Sequence, residues 1–145
     1  QRAARASVSI EGRVTGAIDR GLMVLVAVAE GDTADDGEWL AAKLAALRIF
    51  PDDEGRMNRS VTDIRGGLLI VSQFTLFAST RKGTRPSFNG AAAPAEAIPL
   101  YERFLAQCES ALGRPVARGE FGASMQVDLV NDGPVTLIID TRNRD

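Results

Sequence analysis

The chain of 145 residues contains no histidine and a single cysteine, Cys108. The missing histidine removes the Ser-His-Asp and Cys-His assemblies, together with the usual base that activates a serine or threonine. One thiol rules out an intrachain disulfide framework, and Cys108 falls in an apolar helical pattern where a buried, inert thiol is expected. A zinc site would need an all-carboxylate shell, which suits hard cations better. No Gly-rich phosphate loop, EF-hand loop or metal-spaced cluster occurs, so no cofactor is implied. Long hydrophobic runs are also missing: the longest, Leu22 to Ala29, is far too short to cross a bilayer, and no membrane partner is expected. The opening residues, Gln1 to Val8, are polar and basic without an apolar stretch, which reads as no secretory signal and a cytosolic setting. There is no excess of positive charge: 17 basic against 19 acidic side chains give a net charge of −2. Broad attraction to nucleic acid is therefore disfavoured and no DNA partner is expected, although a small basic loop could still meet an RNA end. Any catalysis must draw on backbone dipoles, carboxylates, lysine or the substrate itself.

An apolar fraction of 45% and a charged fraction of 25% are ordinary for a globular protein, and the length fits one domain over residues 1–145. Ala6 to Gly16 alternates apolar and polar residues around Glu11-Gly12, which predicts a hairpin. Gly21 to Ala29 reads as a buried strand. Leu40, Leu44 and Leu47 recur at helical spacing in Ala34 to Leu47, with Asp32 or Thr33 as N-cap. Arg48 to Phe50 is a short strand candidate before the turn-rich run Asp52 to Arg56. Gly67 to Phe77 reads as a buried central strand, with Phe74 and Leu76 alternating as core residues do. Ala78 to Ala93 lacks periodicity and reads as a long loop. A second helix is predicted from Pro94 to Gly113, with Pro99 expected to kink or delay it. Met125, Val127 and Leu129 alternate with polar residues, and Asn131-Asp132-Gly133-Pro134 separates that strand from another over Val135 to Asp140. Two helices and six or seven strands predict an α+β fold with a mainly antiparallel or mixed sheet.

Two short stretches carry the strongest signal. Ser72-Gln73-Phe74-Thr75-Leu76 and Asn131-Asp132-Gly133-Pro134-Val135-Thr136 resemble the paired signature motifs of the D-aminoacyl-tRNA deacylases. The resemblance extends, in order and at similar spacing, through Gln1-Arg2, Arg5 to Val8, Arg48 to Phe50, Gly55 to Asn58 and Gly83 to Phe88. It covers nearly the whole chain. It implies a three-layer fold with two helices on one face, and a homodimer with its active sites at the subunit interface. It also implies hydrolysis of the ester joining an amino acid to the terminal adenosine of tRNA.

Read from the residues alone, the end of a strand offers free backbone N–H groups that could hold an ester oxyanion. Thr75 or Ser72 as a covalent nucleophile would lack a histidine, leaving Lys43 or Lys82 as base. The resemblance implies oxyanion stabilisation by the N–H groups of Phe74 and Thr75, a pocket shaped by Ser72 and Gln73, and Phe74 packed near the terminal adenine. Asn131-Asp132-Gly133-Pro134 reads as a tight turn, and an X–Pro step can be cis. The resemblance implies that Gly133-Pro134 is cis and reaches into the neighbouring subunit's pocket, where it obstructs an L side chain but not glycine. Phe121 and Met125 stand where similar proteins line the adenosine pocket, and read equally well as core residues. Arg2 corresponds to the arginine that steadies the Gly-Pro step, although a terminal arginine is commonly a solvated charge. Arg81, Lys82 and Arg85 could contact tRNA phosphates or form a solvated loop. The acids Asp35, Asp36 and Glu38, and Asp52, Asp53 and Glu54, fit a helix start and a turn. Three rivals remain: a non-catalytic tRNA-end or nucleotide-binding module, a general esterase using Thr75, and an animal-type paralogue with altered chiral preference.

Overall fold

The computed structural model describes residues 1–144. Strand β1 (Arg2–Ile10) and β2 (Arg13–Ile18) form the expected hairpin. Its two-residue loop has positive φ at both Glu11 (50°) and Gly12 (77°), the combination whose twist matches that of the flanking strands. Then come β3 (Gly21–Val26), α1 (Ala34–Ala46), a small hairpin of β4 (Phe50–Pro51) and β5 (Met57–Arg59), and β6 (Gly67–Ser72). A 3-10 turn (Phe74–Phe77), α2 (Pro94–Leu112), β7 (Ala117–Arg118) and β8 (Gln126–Asn131) complete the order.

Strand β1 organises the sheet. Along one edge it pairs antiparallel with β8; along the other it pairs with β2 through Ala6–Ile10 and with β3 through Arg2 and Ala3. From β3 the sheet continues in parallel to β6 and β7. It then nearly closes, because β7 returns to β2: a Cβ on Gly16 would lie 2.6 Å from the Arg118 carbonyl oxygen, an approach that only glycine permits.

Because β3 and β6 are covered on both faces, they read as continuous apolar runs rather than alternating ones. Leu22, Leu68 and Ile70 pack with Ala41, Leu44, Phe104 and Leu105 of the helices. Their neighbours Met23, Leu69 and Val71 pack instead with Ala3, Ala6 and Val8 of β1 and with Met125, Val127 and Leu129 at β8. The result is the expected α+β arrangement of three layers, with both helices on one face.

Five element boundaries differ from expectation. The strand expected over Gly21–Ala29 ends at Val26, and only its first three residues are fully buried. The predicted strand Gly67–Phe77 stops at Ser72, where its partner β3 also ends; Gln73 N–H takes the Val26 carbonyl at 2.7 Å, and beyond it no ladder remains to hold an extended chain. Phe74 and Leu76, expected in the core, are each 56% exposed. The strand expected at Arg48–Phe50 is displaced to Phe50–Pro51. Val135–Asp140, expected as a strand, has no ladder partner among the described residues, leaving Leu137 50% and Ile138 97% exposed. Pro99 does not delay α2, since it lies on the exposed side near the helix start, where water can satisfy the carbonyl its ring leaves unpaired.

Candidate active site

The 3-10 turn turns the end of β6 into a donor site. Leu76 N–H bonds the Gln73 carbonyl at 3.2 Å and Ala78 N–H bonds that of Thr75 at 3.1 Å. The first two N–H groups of the turn, those of Phe74 and Thr75, meet no acceptor among the described residues. Two adjacent free donors on a rigid turn are suited to a developing oxyanion. Gln73 Nε2 donates to Thr75 Oγ1, fixing both side chains beside that turn. Ser72 and Gln73 are half-buried, whereas Phe74 stands out and receives the Phe88 ring edge-on, with centroids 5.2 Å apart. Phe88 belongs to the long loop, which Ser79 and Ser87 pinch together by two backbone bonds of 2.8 and 3.0 Å. Arg81, Lys82 and Arg85 lie exposed beyond that pinch.

At the far end of β8, the Gly133–Pro134 peptide is cis and both residues are exposed. Arg2 braces this turn from three directions. Its Nε donates to the Asp132 carbonyl at 2.9 Å, its Nη1 donates to the Ile49 carbonyl at 2.7 Å, and its main chain bonds both Val135 and Asp132. With its side chain only 12% exposed, it is a half-buried strut and not a solvated terminal charge. Asn131 closes the same turn: its Oδ1 accepts the Val135 N–H at 3.0 Å and its Nδ2 donates to Thr136 Oγ1 at 2.8 Å.

Phe121 and Met125 are not brought together. Phe121 leans on Tyr101, 5.7 Å away, in the core beneath the helices, whereas Met125 joins the core on the opposite face of β6. A groove of about 550 Å³ runs between β3, the helices and the C-terminal segment. Its walls include Leu40, Leu44, Leu76, Phe77, Tyr101 and Phe104, and the predicted site residues stand outside it.

Two buried groups are ill-suited to base chemistry at neutral pH. Burial pushes the Cys108 thiol and the Tyr101 hydroxyl each up to about 12, and Tyr101 donates to the Ile70 carbonyl. Asp52 is held below the usual carboxylate range by the backbone N–H groups of Arg56 and Glu54, and Asp36 chiefly by that of Thr33 at the start of α1. These acids thus serve the turn and helix start that their positions suggested. Among the described residues no cluster of three His, Cys, Asp or Glu side chains is arranged to hold a metal.

The family model described as D-Tyr-tRNA(Tyr) deacylase matches residues 1–140. The chain belongs to this deacylase family. A protein of Opitutus terrae named D-aminoacyl-tRNA deacylase is 65% identical over 145 residues, covering 100% of this chain and 97% of that one. Another so named, from Cytophaga hutchinsonii, is 55% identical over 144 residues, covering 99% and 96%. Among solved structures, one titled c-Myc DNA Unwinding Element Binding Protein superposes with a TM-score of 0.87 at 39% identity, over 94% of this chain and 93% of that one. A probable eukaryotic D-amino acid tRNA deacylase shares the fold, with a TM-score of 0.76 at 20% identity over 91% of each chain. As a family of deacylases these proteins are hydrolases, and the histidine-free donor turn is consistent with ester hydrolysis that needs no side-chain nucleophile.

Two features of this deacylase escaped sequence reading. Phe88 as the partner of Phe74 left no signal, because the loop between them has no periodicity. The C-terminal arginines Arg142 and Arg144 pair with Asp32 and Asp36 more than a hundred residues earlier, a contact visible only after folding.

Proposed function

We propose that the chain, read as a single deacylase domain, hydrolyses the ester between a D-amino acid and the terminal adenosine of tRNA. Water attacks the carbonyl carbon, the ester C–O bond breaks, and the ribose hydroxyl leaves with a proton. The N–H groups of Phe74 and Thr75 receive the oxyanion, Ser72 and Gln73 shape the pocket, and the exposed Phe74 ring packs near the adenine. The adjacent ribose 2′-hydroxyl helps to activate or orient the water. The observation that carries this reading is the pair of unpartnered N–H groups at the start of the 3-10 turn, directly beneath an exposed aromatic ring.

On this reading the protein works as a homodimer in which each subunit's Gly133-Pro134 turn enters the other's site and faces the α-amino group and chiral carbon. An L side chain collides with that backbone, so selection works by exclusion, and glycine, including glycine mischarged on the alanine tRNA, escapes it. Asn131 and Arg2 keep the turn in place. Association is favoured by the exposed Phe74, Leu76, Leu137 and Ile138 and by the unladdered strand-like segment at 135–140, a combination that isolated globular chains seldom leave uncovered. Arg81, Lys82 and Arg85 meet phosphates of the acceptor end. A tRNA substrate sets the reaction in the cytoplasm; among the described residues no helix is long and apolar enough to cross a membrane.

The test is deacylation of matched D- and L-tyrosyl-tRNA by the purified protein, with and without a chelator. Release from the D-substrate alone, unaffected by chelator, is expected. Equal release from both would overturn the Gly-Pro model. Release from neither, with binding retained, would favour a non-catalytic nucleic-acid module, the reading nearest to the DNA-binding title of the relative at 39% identity.

A further inference from the structure

We propose that the C-terminal segment is a clasp that positions the Gly133-Pro134 turn, with Arg142 and Arg144 as its positioning residues. This rests on the deacylase reading above. Arg2 and Asn131 hold the turn on both sides, as far as Val135 and Thr136, but from Leu137 to Asp140 the chain runs along the groove with no ladder partner among the described residues, and Leu137 and Ile138 point largely to solvent. Ile139 is the residue of this stretch that packs against the helix-side core, whereas Leu137 and Ile138 add little restraint. The far end of the stretch is tied down by charge. Arg142 Nη2 donates to the Glu30 carbonyl and lies 3.3 Å from Asp32 Oδ1. Arg144 lies 3.4 Å from Asp36 Oδ1, with its guanidinium 4.7 Å from the centre of the Trp39 ring.

Both carboxylates are also held by backbone donors of their own segment. Asp32 also accepts the Ala29 N–H at 2.8 Å, and Asp36 also accepts the Thr33 N–H at 2.9 Å. Their side chains are only 15% and 23% exposed, so the clasp closes onto rigid anchors. The same anchor loop holds the other half of the site. Ala29 bridges to Ala91, Glu30 N–H bonds the Gly90 carbonyl at 3.3 Å, and Ala91 N–H bonds the carbonyl of Phe88, whose ring packs on Phe74. One loop, Ala29–Asp32, is thus the common reference for the aromatic loop beside the donor turn and for the segment leaving Gly133-Pro134. Without Arg142 and Arg144 the segment leaving the turn would lose its charged ties to that loop and to α1.

The experiment compares the full-length wild type with the double variant R142A/R144A and the conservative double variant R142K/R144K. It measures single-turnover deacylation of D- and L-tyrosyl-tRNA, together with amide exchange across 135–140. Each part-exposed ion pair is weak and the cation–π contact modest, so the ratio of D to L rates should fall about three- to tenfold in R142A/R144A. Exchange at 135–140 should quicken, and lysine should restore much of both. Faster exchange with an unchanged D-to-L ratio would overturn the positioning role, as would an equal loss of both rates that tracks a fall in Tm. If the wild type shows no chiral preference, the deacylase reading fails, and unchanged exchange in R142A/R144A would then overturn the clasp as well.

Discussion

Replacing Arg2 by methionine removes the guanidinium from the Gly133-Pro134 turn while leaving an unbranched stem of similar length. Two bonds are lost, from Nε to the Asp132 carbonyl at 2.9 Å and from Nη1 to the Ile49 carbonyl at 2.7 Å. The main-chain bonds of residue 2 to Val135 and Asp132 do not depend on the side chain and should persist. A hydrogen bond from a charged donor contributes about 1.5–3 kcal/mol. Asp132 is half-buried and its carbonyl can recover water once the guanidinium is gone, so we expect a loss of about 2–4 kcal/mol for the pair. In a domain of this size that corresponds to a fall in Tm of roughly 5–15 °C. The melting curves need matched protein concentrations, because association shifts apparent stability. Discrimination of D- from L-tyrosyl-tRNA should weaken as well, since the turn that excludes the L side chain loses its strut. Arg2→Lys, with one compact charge where the native fork reaches two carbonyls, should fall between wild type and Arg2→Met. A Tm within about 1 °C of wild type together with unchanged discrimination would refute the strut argument.

Gly133 has φ 132°, and a Cβ there would lie 2.8 Å from Val135 Cγ2, so Gly133→Ala should cost about 1–3 kcal/mol and impair chiral discrimination; a wild-type melting curve would refute it. Thr75→Ala keeps the backbone N–H and removes only the hydroxyl that accepts from Gln73, so single-turnover D-deacylation should stay within about tenfold, whereas a collapse of a thousandfold or more would install Thr75 as a nucleophile. Ile138→Asp alters a side chain that is 97% exposed, so it should leave the subunit folded while sedimentation reports monomers; a wild type that is itself monomeric would sink the interface argument. The Asp36 carboxyl is held below the usual aspartate range in the folded chain, first by the Thr33 N–H, so its stabilising contribution is fully present above that ordinary range and is lost as pH falls through the lower folded value. The stability gap between wild type and Asp36→Asn should therefore be constant near neutrality and shrink only below about pH 4; a gap that closes at pH 6 would point to another group.

Legibility of the sequence tracked the range of the interactions that decide each element. The first hairpin and both helices are written in local chemistry: positive-φ residues at 11 and 12, an acid at the third position of α1, and apolar residues at helical spacing. Strand identity in β3 and β6 was equally plain, because burial on both faces demands continuous apolar runs. The end of β6 was not legible, since it is set by where β3 runs out, and the sequence Phe74-Thr75-Leu76-Phe77 is as suitable for a strand as Leu68 to Val71.

The misread boundary at Ser72 bears directly on function. Had the strand continued to Phe77, a neighbouring strand could have taken up the N–H groups of Phe74 and Thr75, and Phe74 could have been buried. Ending the ladder after the Gln73–Val26 bond leaves both donors free and turns the aromatic ring outward in the same step. The tail beyond Pro134 obeys a similar logic. Val135 to Asp140 has strand composition and no ladder partner among the described residues, so its order comes from other contacts: Arg2 and Asn131 at one end, Ile139 against the core, the Asp32 and Asp36 anchors beyond the other end, and the proposed second subunit. In both places an apolar, strand-like segment denied a ladder is where the candidate chemistry collects.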